Sequence, residues 1–196
     1  MNLLIDVGNS RVKWSIYNQD EIFEYNTLDK LDFNYFRDVL MRFNDVKNVA
    51  YCNNKEHNNN FLNKINRLDV NIYNVSETLV LPFESHYNSI QNLGCDRIAL
   101  CCGAVRNFVH DILVIDLGTC ITYDLIINKK HLGGQISPGL NIRFKSVNSF
   151  TKKLPLLKFN KNIKFTGDST KTSLEVGIAD SVLFEIDGVI KKYIKK

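Results

Sequence analysis

The chain has 196 residues, 44% of them hydrophobic, and a formal charge of +4. That length fits one large domain or two of roughly 100 residues each, with enough apolar content for a core. The mild basicity, without zinc-finger spacing or an aromatic–basic RNA motif, argues against a nucleic-acid binder, and no run of about 18 apolar residues is present to suggest a membrane helix.

Residues 2–7 form an apolar run that predicts a buried strand. Gly8-Asn9-Ser10 signals a turn. Val12, Trp14 and Ile16 then alternate with Arg11, Lys13 and Ser15, the pattern of a half-buried strand. A third strand is expected over 22–25, so the chain opens as a β-meander. Phe33, Phe36, Leu40 and Phe43 recur at helical spacing. A strand over 46–52, a helix over 61–68 and a strand over 70–75 follow. Residues 76–93, around Pro82, are expected to be irregular, and a helix is expected over roughly 96–108.

A second unit is expected from Ile112: strand, glycine turn, strand over 120–127, turn at 128–130, then LGGQISPGL. A helix over about 140–149, a loop-rich stretch over 151–168 and a terminal helix or helices from about 170 complete it. Strands followed by alternating helices and strands predict an α/β sheet in each half. The boundary belongs near 108–112, giving domains over 1–110 and 111–196.

Five cysteines (Cys52, Cys95, Cys101, Cys102, Cys120) make an odd set with no C-x-x-C. This suggests neither a disulfide framework nor a metal site. Cys101 and Cys102 read as small core residues. The opening MNLLIDVGNS has no charged lead and apolar signal core, so a reducing cytoplasm is the expected address. The terminal KKYIKK reads as a solvated helix end. The four histidines (His57, His86, His110, His131) are expected on the surface or in loops.

One pattern occurs twice. IDVGNSRVKW at 5–14 matches IDLGTCITYD at 115–124, with Asp6 on Asp116, Gly8 on Gly118, Asn9 on Thr119 and Ser10 on Cys120. A repeat of this length suggests duplication of a folding unit. A glycine at a strand end permits a tight turn whose backbone N–H groups approach an anion. The adjoining hydroxyl or amide can bond a phosphate oxygen, and the aspartate can hold a neutralising cation. One Asp-x-Gly is usually only a turn; two in equivalent positions point to a nucleotide. There is no G-x-x-x-x-G-K-[ST] of a P-loop.

Two further motifs each allow two readings. In LGCDRIAL at 93–100, Asp96 and Arg97 are either a helix cap with an exposed arginine, or a base and an anion grip. GGQISPG at 133–139 is either a loop that lets backbone approach a ligand or a plain connection into a helix.

Taken in order, Asp6-x-Gly8-Asn9-Ser10, Gly94-x-Asp96-Arg97, Asp116-x-Gly118-Thr119 and Gly133-Gly134-x-Ile136-x-Pro138-Gly139 resemble the type III pantothenate kinases over nearly the whole chain. The resemblance implies a fold similar to the actin-like ATPase and sugar-kinase group: duplicated ribonuclease-H-like domains, each a mixed β-sheet with flanking helices, around an ATP cleft. It implies a homodimer that phosphorylates pantothenate on the way to coenzyme A. It further implies that Asp6, Val7, Gly8, Asn9, Ser10, Arg11, Val12 and Lys13 form the ATP phosphate loop, with Asp6 near Mg²⁺. Thr119 would contact ATP, and Asp116 would hold K⁺ or NH₄⁺. Asp96 would be the general base, with Tyr87, Gly94, Cys95, Arg97 and, across the dimer, Thr170 contacting pantothenate. The alternatives are another small-molecule kinase, or a non-catalytic regulatory protein on the same fold. A non-catalytic descendant should have lost acidic residues, whereas Asp6, Asp96 and Asp116 are all present.

Overall fold

A computed structural model of the protein describes residues 1–19, 21–53, 59–75, 80–87 and 90–195. His57 and parts of the expected irregular stretch (76–79 and 88–89) lie outside the described residues. The chain divides into two units, Met1–Val109 and His110–Lys196. Both are α/β, each with β-strands and helices.

The first unit is organised by strand alternation. Along β1 (Asn2–Val7), Leu3, Ile5 and Val7 are buried while Leu4 is exposed and Asp6 half-buried. Along β2 (Val12–Asn18), Val12, Trp14 and Ile16 repeat the pattern. With β3 (Glu21–Leu28), β4 (Asn48–Asn53) and β5 (Asn71–Asn74) the sheet order is β3-β2-β1-β4-β5. The first three strands are antiparallel, and β4 and β5 run parallel to β1.

Two helices pack with the buried sheet residues. In α1 (Phe33–Arg42), Phe36 and Val39 are buried, and Asp32 caps the start by accepting from Tyr35 N–H at 3.0 Å. In α2 (Asn59–Ile65), Phe61 and Ile65 are buried in the same cluster. Phe36 meets Trp14 and Phe61 edge-on, and Phe61 stacks on Tyr51. A two-residue strand β6 (Glu84–Ser85) and a 3₁₀ turn (Ile90–Asn92) precede α3 (Cys95–Asn107).

The second unit opens as an antiparallel meander of β7 (Ile112–Leu117), β8 (Cys120–Ile127) and β9 (Lys130–Pro138). Asn128 and Lys129 both take positive φ (50° and 58°), as a two-residue hairpin turn of the strand-compatible hand requires. The helices are α4 (Leu140–Phe150) and a single long α5 (Thr170–Ile194). Ile121, Tyr123 and Val189 form a core with Leu113, Ile115, Val182 and Ile186.

Two expectations are corrected. GGQISPG is not mainly a loop: 133–138 belongs to β9, paired with β8 from Leu125↔Gly133 to Cys120↔Pro138. The pairing satisfies those backbone groups, which outweighs the turn propensity of the glycines. His131 is not on the surface. It is 0% exposed in β9, with Nε2 2.7 Å from Asp124 Oδ1. A buried imidazole needs such a partner, and Asp124 supplies it across the hairpin.

Gly139 leaves no room for a side chain. Its N–H donates to the Thr119 carbonyl at 3.0 Å. A Cβ there would lie 2.4 Å from the Gly118 oxygen and 2.5 Å from the Thr119 oxygen. Gly103, inside α3, has nothing within 4 Å of the same construction. We therefore expect Gly139→Ala to destabilise by about 1–3 kcal/mol or more through overpacking. Gly103→Ala should stabilise by about 0.5–1 kcal/mol through helix propensity. Urea unfolding of both variants checks this; equal midpoints would refute the close approach.

Candidate active site

The first Asp-x-Gly sits where β1 leaves the sheet. Because Leu3, Ile5 and Val7 fill the core, alternation turns Asp6 to the opposite face. Its register neighbours are Lys13 on β2 and Cys52 on β4. Lys13 Nζ stands 4.0 Å from Asp6 Oδ2, an exposed pair. Gly8 N–H donates to the Arg11 carbonyl at 3.0 Å and closes the turn. Asn9, Ser10, Arg11 and Lys13 are exposed around it. Val7 and Val12 are buried, so only their backbones are available to a ligand.

Cys52 connects this face to the second motif. It is bonded to Cys95, the first residue of α3, with a Cα–Cα distance of 5.6 Å. This corrects the reading of the cysteines as having no disulfide role. An odd, unpatterned set hides a single bond, because the pairing depends on β4 and the α3 start meeting in space. Cys95 is 2% exposed and its sulfur is committed, so only its backbone can meet a substrate. Cys101 is buried as expected, and burial pushes the Cys102 thiol up.

The bond sets Gly94-x-Asp96-Arg97 beside the strand neighbour of Asp6. Gly94 is the N-cap of α3, and Asp96 lies in the first turn, where a negative charge suits the helix dipole. Asp96 Oδ1 accepts from the Arg97 N–H at 2.8 Å. Arg97 is 5% exposed, with its guanidinium carbon 5.7 Å from the Tyr87 ring centre. The bland reading, a cap with an exposed arginine, therefore fails on both counts. Tyr87, Gly94, Cys95, Asp96 and Arg97 are brought together within the first unit.

In the second unit, Asp116 precedes the turn Gly118-Thr119. Asp116 Oδ2 lies 3.5 Å from where a Gly118 Cβ would stand, an ordinary contact distance, so the carboxylate lies alongside the turn. Gly118 N–H donates to the Cys120 carbonyl at 3.0 Å, a tighter turn than that at Gly8. Thr119 is exposed. Thr170 is the first residue of α5 and exposed, but it is not the cap. Ser169 caps the helix and Thr172 completes the capping box. Asp168 accepts from Lys164 and Thr172, and these bonds hold its carboxyl below the usual carboxylate range.

The sequence offered no sign of one further cluster. Glu185 on α5 accepts from Tyr123 Oη at 2.8 Å and Ser137 Oγ at 2.5 Å on one oxygen, and from Arg143 on the other. These partners lie 62, 48 and 42 positions away, so no local pattern could reveal them.

The type III pantothenate kinase family model matches residues 2–192. A type III pantothenate kinase of Christiangramia forsetii is 35% identical, over 100% of this chain and 82% of its own length. One of Phocaeicola vulgatus is 36% identical, over 97% of this chain and 79% of its own. A solved structure from Campylobacter jejuni, of a conserved protein assigned to the Baf family of transcriptional activators, superposes with a TM-score of 0.62. It is 26% identical and covers 95% of this chain and 78% of its own.

The Cys52–Cys95 bond closes a separation of 43 residues, which in the chain-entropy picture contributes about 4 kcal/mol. We expect the melting midpoint to fall by roughly 10 °C when a reductant is added. Cys52→Ser should melt at the lower temperature in both buffers. Identical midpoints for the unmodified protein with and without reductant, at verified thiol content, would show that the bond does not form.

Proposed function

The chain belongs to the type III pantothenate kinase family, and we propose that it transfers the γ-phosphoryl group of ATP to pantothenate, giving ADP and 4′-phosphopantothenate, the first step of coenzyme A biosynthesis. The observation that carries the residue assignments is the Cys52–Cys95 connection. Through it, Asp6 and the Gly94-x-Asp96-Arg97 motif share one region of one unit. The regulatory alternative is not favoured: the family and the curated relatives are kinases by name.

The geometry supports these roles. Phosphoryl transfer depends mainly on positioning and charge stabilisation. The Gly8–Lys13 turn offers backbone N–H groups, the polar Asn9 and Ser10, and the cations Arg11 and Lys13 to phosphate oxygens. The exposed Thr119, at the turn of the second unit, is assigned to ATP. Arg97, buried and held over Tyr87, grips the pantothenate carboxylate. Asp96 keeps one oxygen on the Arg97 N–H, and its other oxygen takes the hydroxyl proton as the hydroxyl attacks. Thr170, on the exposed first turn of α5, is assigned to pantothenate across a dimer.

The kinase family implies a divalent metal. The hard carboxylate of Asp6 suits Mg²⁺, and that of Asp116, beside the Gly118 turn, is assigned to K⁺ or NH₄⁺. When bound, these ions offset phosphate charge. The two units are assigned to ribonuclease-H-like domains over 1–110 and 111–196, in line with the meander that opens each. A homodimer is supported by Leu183 and Phe184, large apolar side chains exposed on α5. Light scattering reads that directly. No described helix is long and apolar enough to cross a membrane, and no nucleic-acid partner is assigned; the Cys52–Cys95 bond removes the reducing-compartment argument for a cytoplasmic address.

Purified protein should form ADP from ATP only when pantothenate is present. Activity should vanish without Mg²⁺ and fall several-fold when Na⁺ replaces K⁺. No pantothenate-stimulated turnover across these salts would refute the reaction, and equal rates in Na⁺ and K⁺ would refute the monovalent site.

Asp96→Asn should fold and bind ATP but lose about 10²–10⁴ in kcat, the usual contribution of a positioned base. A near-normal kcat would reduce Asp96 to a helix-terminal charge.

A further inference from the structure

We propose that Glu185 is a positioning residue for the nucleotide side of the reaction: with Arg143 it holds the Ser137–Gly139 segment against the Gly118–Thr119 turn. The proposal rests on the kinase reading, which assigns Thr119 to ATP.

The connections form a closed path within the second unit. Glu185 accepts from Ser137 Oγ at 2.5 Å and from Arg143. Arg143 also donates from Nε to the Pro138 carbonyl at 2.8 Å and from Nη1 to Ser181 Oγ at 3.2 Å. Thus both Ser137 and Pro138 are tied to α5, one directly and one through the guanidinium. Gly139 follows at once, and its N–H reaches the Thr119 carbonyl at 3.0 Å. The absence of a side chain at Gly139 lets the segment lie directly on the turn. On the strand beside it, Tyr123 Oη donates to the same Glu185 oxygen at 2.8 Å, so β8 and β9 are pinned to one carboxylate.

The chemistry suits a fixed strut. Burial alone would raise the Glu185 carboxyl, but donation from Ser137, Arg143 and Tyr123 outweighs it and holds the group below its ordinary value. Burial and the Glu185 carboxylate push the Tyr123 phenol up to about 12. At neutral pH the carboxylate is therefore charged and the phenol is a donor. Charge-assisted bonds of this kind are shorter and stronger than neutral ones. No group in the path has to touch ATP. Its effect passes through the backbone of Gly139 to that of Thr119.

The test uses the full-length protein. Glu185→Gln keeps the shape but sets an amide against Arg143. It should raise KM for ATP about tenfold to a hundredfold, while KM for pantothenate stays within about twofold. Glu185→Asp should recover part of the loss, and Ser137→Ala should give a smaller change of the same kind. Asp187→Asn, which breaks an exposed ion pair with Lys191 on the same helix, should change neither constant. Hydrogen exchange at the Gly139 amide gives a readout independent of turnover, and Glu185→Gln should lower its protection. If the protein lacked pantothenate kinase activity altogether, that exchange result would still decide whether the strut exists. Unchanged Gly139 protection, or equal losses in both KM values, would overturn the proposal. Should Glu185→Gln fail to fold, Ser137→Ala carries both measurements.

Discussion

The alternation of side chains along β1 is the constraint from which the first unit's site follows. Leu3, Ile5 and Val7, with Trp14 beside them on β2, must face Phe36 and Phe61 of the packed helices. Asp6 then has to face the other way. A slip of one residue would bury a carboxylate and expose three large apolar groups, so the register is strongly specified. Because β4 pairs in parallel with β1, the same register puts Cys52 beside Asp6. The disulfide extends that placement to the start of α3, where Asp96 and Arg97 lie. Hydrophobic burial in the core thus decides where the acidic groups stand, and a covalent bond carries the decision one element further.

The two Asp-x-Gly turns are alike in sequence but are held by different physics. The face of Asp6 is tied by sulfur to α3. The turn at Gly118 and Thr119 is held by a close backbone approach from Gly139, which a strut of charge-assisted hydrogen bonds keeps in place. The turns also differ in size. Gly8 reaches the Arg11 carbonyl, three residues on, whereas Gly118 reaches that of Cys120, two residues on. A duplicated pattern therefore does not mean duplicated surroundings. The shared part is a strand, a turn and a returning strand, which local chemistry can specify alone.

Much of the architecture was legible because it is periodic. An apolar run located β1, alternation located β2, helical spacing located α1, and the position of Pro138-Gly139 marked the start of α4. The terminal stretch was open between one helix and several, and it is one, begun by Ser169 and Thr172. Its start, expected at about 170, was legible, but the capping box was not, because it uses threonine where glutamate or glutamine is the usual signal. The glycines at 133 and 134 misled for a related reason. Local propensity marks a loop, but pairing with β8 provides hydrogen bonds that propensity cannot see.

By itself the sequence determined most of the strands and helices in order, the two Asp-x-Gly turns and the resemblance that identifies the family. Each of these depends on residues close together in the chain or on motifs preserved in order. Tertiary structure alone decided that Cys52 meets Cys95, that Arg97 is buried against Tyr87, that His131 pairs with Asp124 in the interior, and that Glu185 gathers Tyr123, Ser137 and Arg143. Most of these contacts join residues separated by ten to more than sixty positions. Even Asp124 and His131, seven apart, meet only because the hairpin folds β9 back on β8. Periodicity reports the neighbourhood of a residue along the chain; which distant side chains share a space is set by how the elements pack.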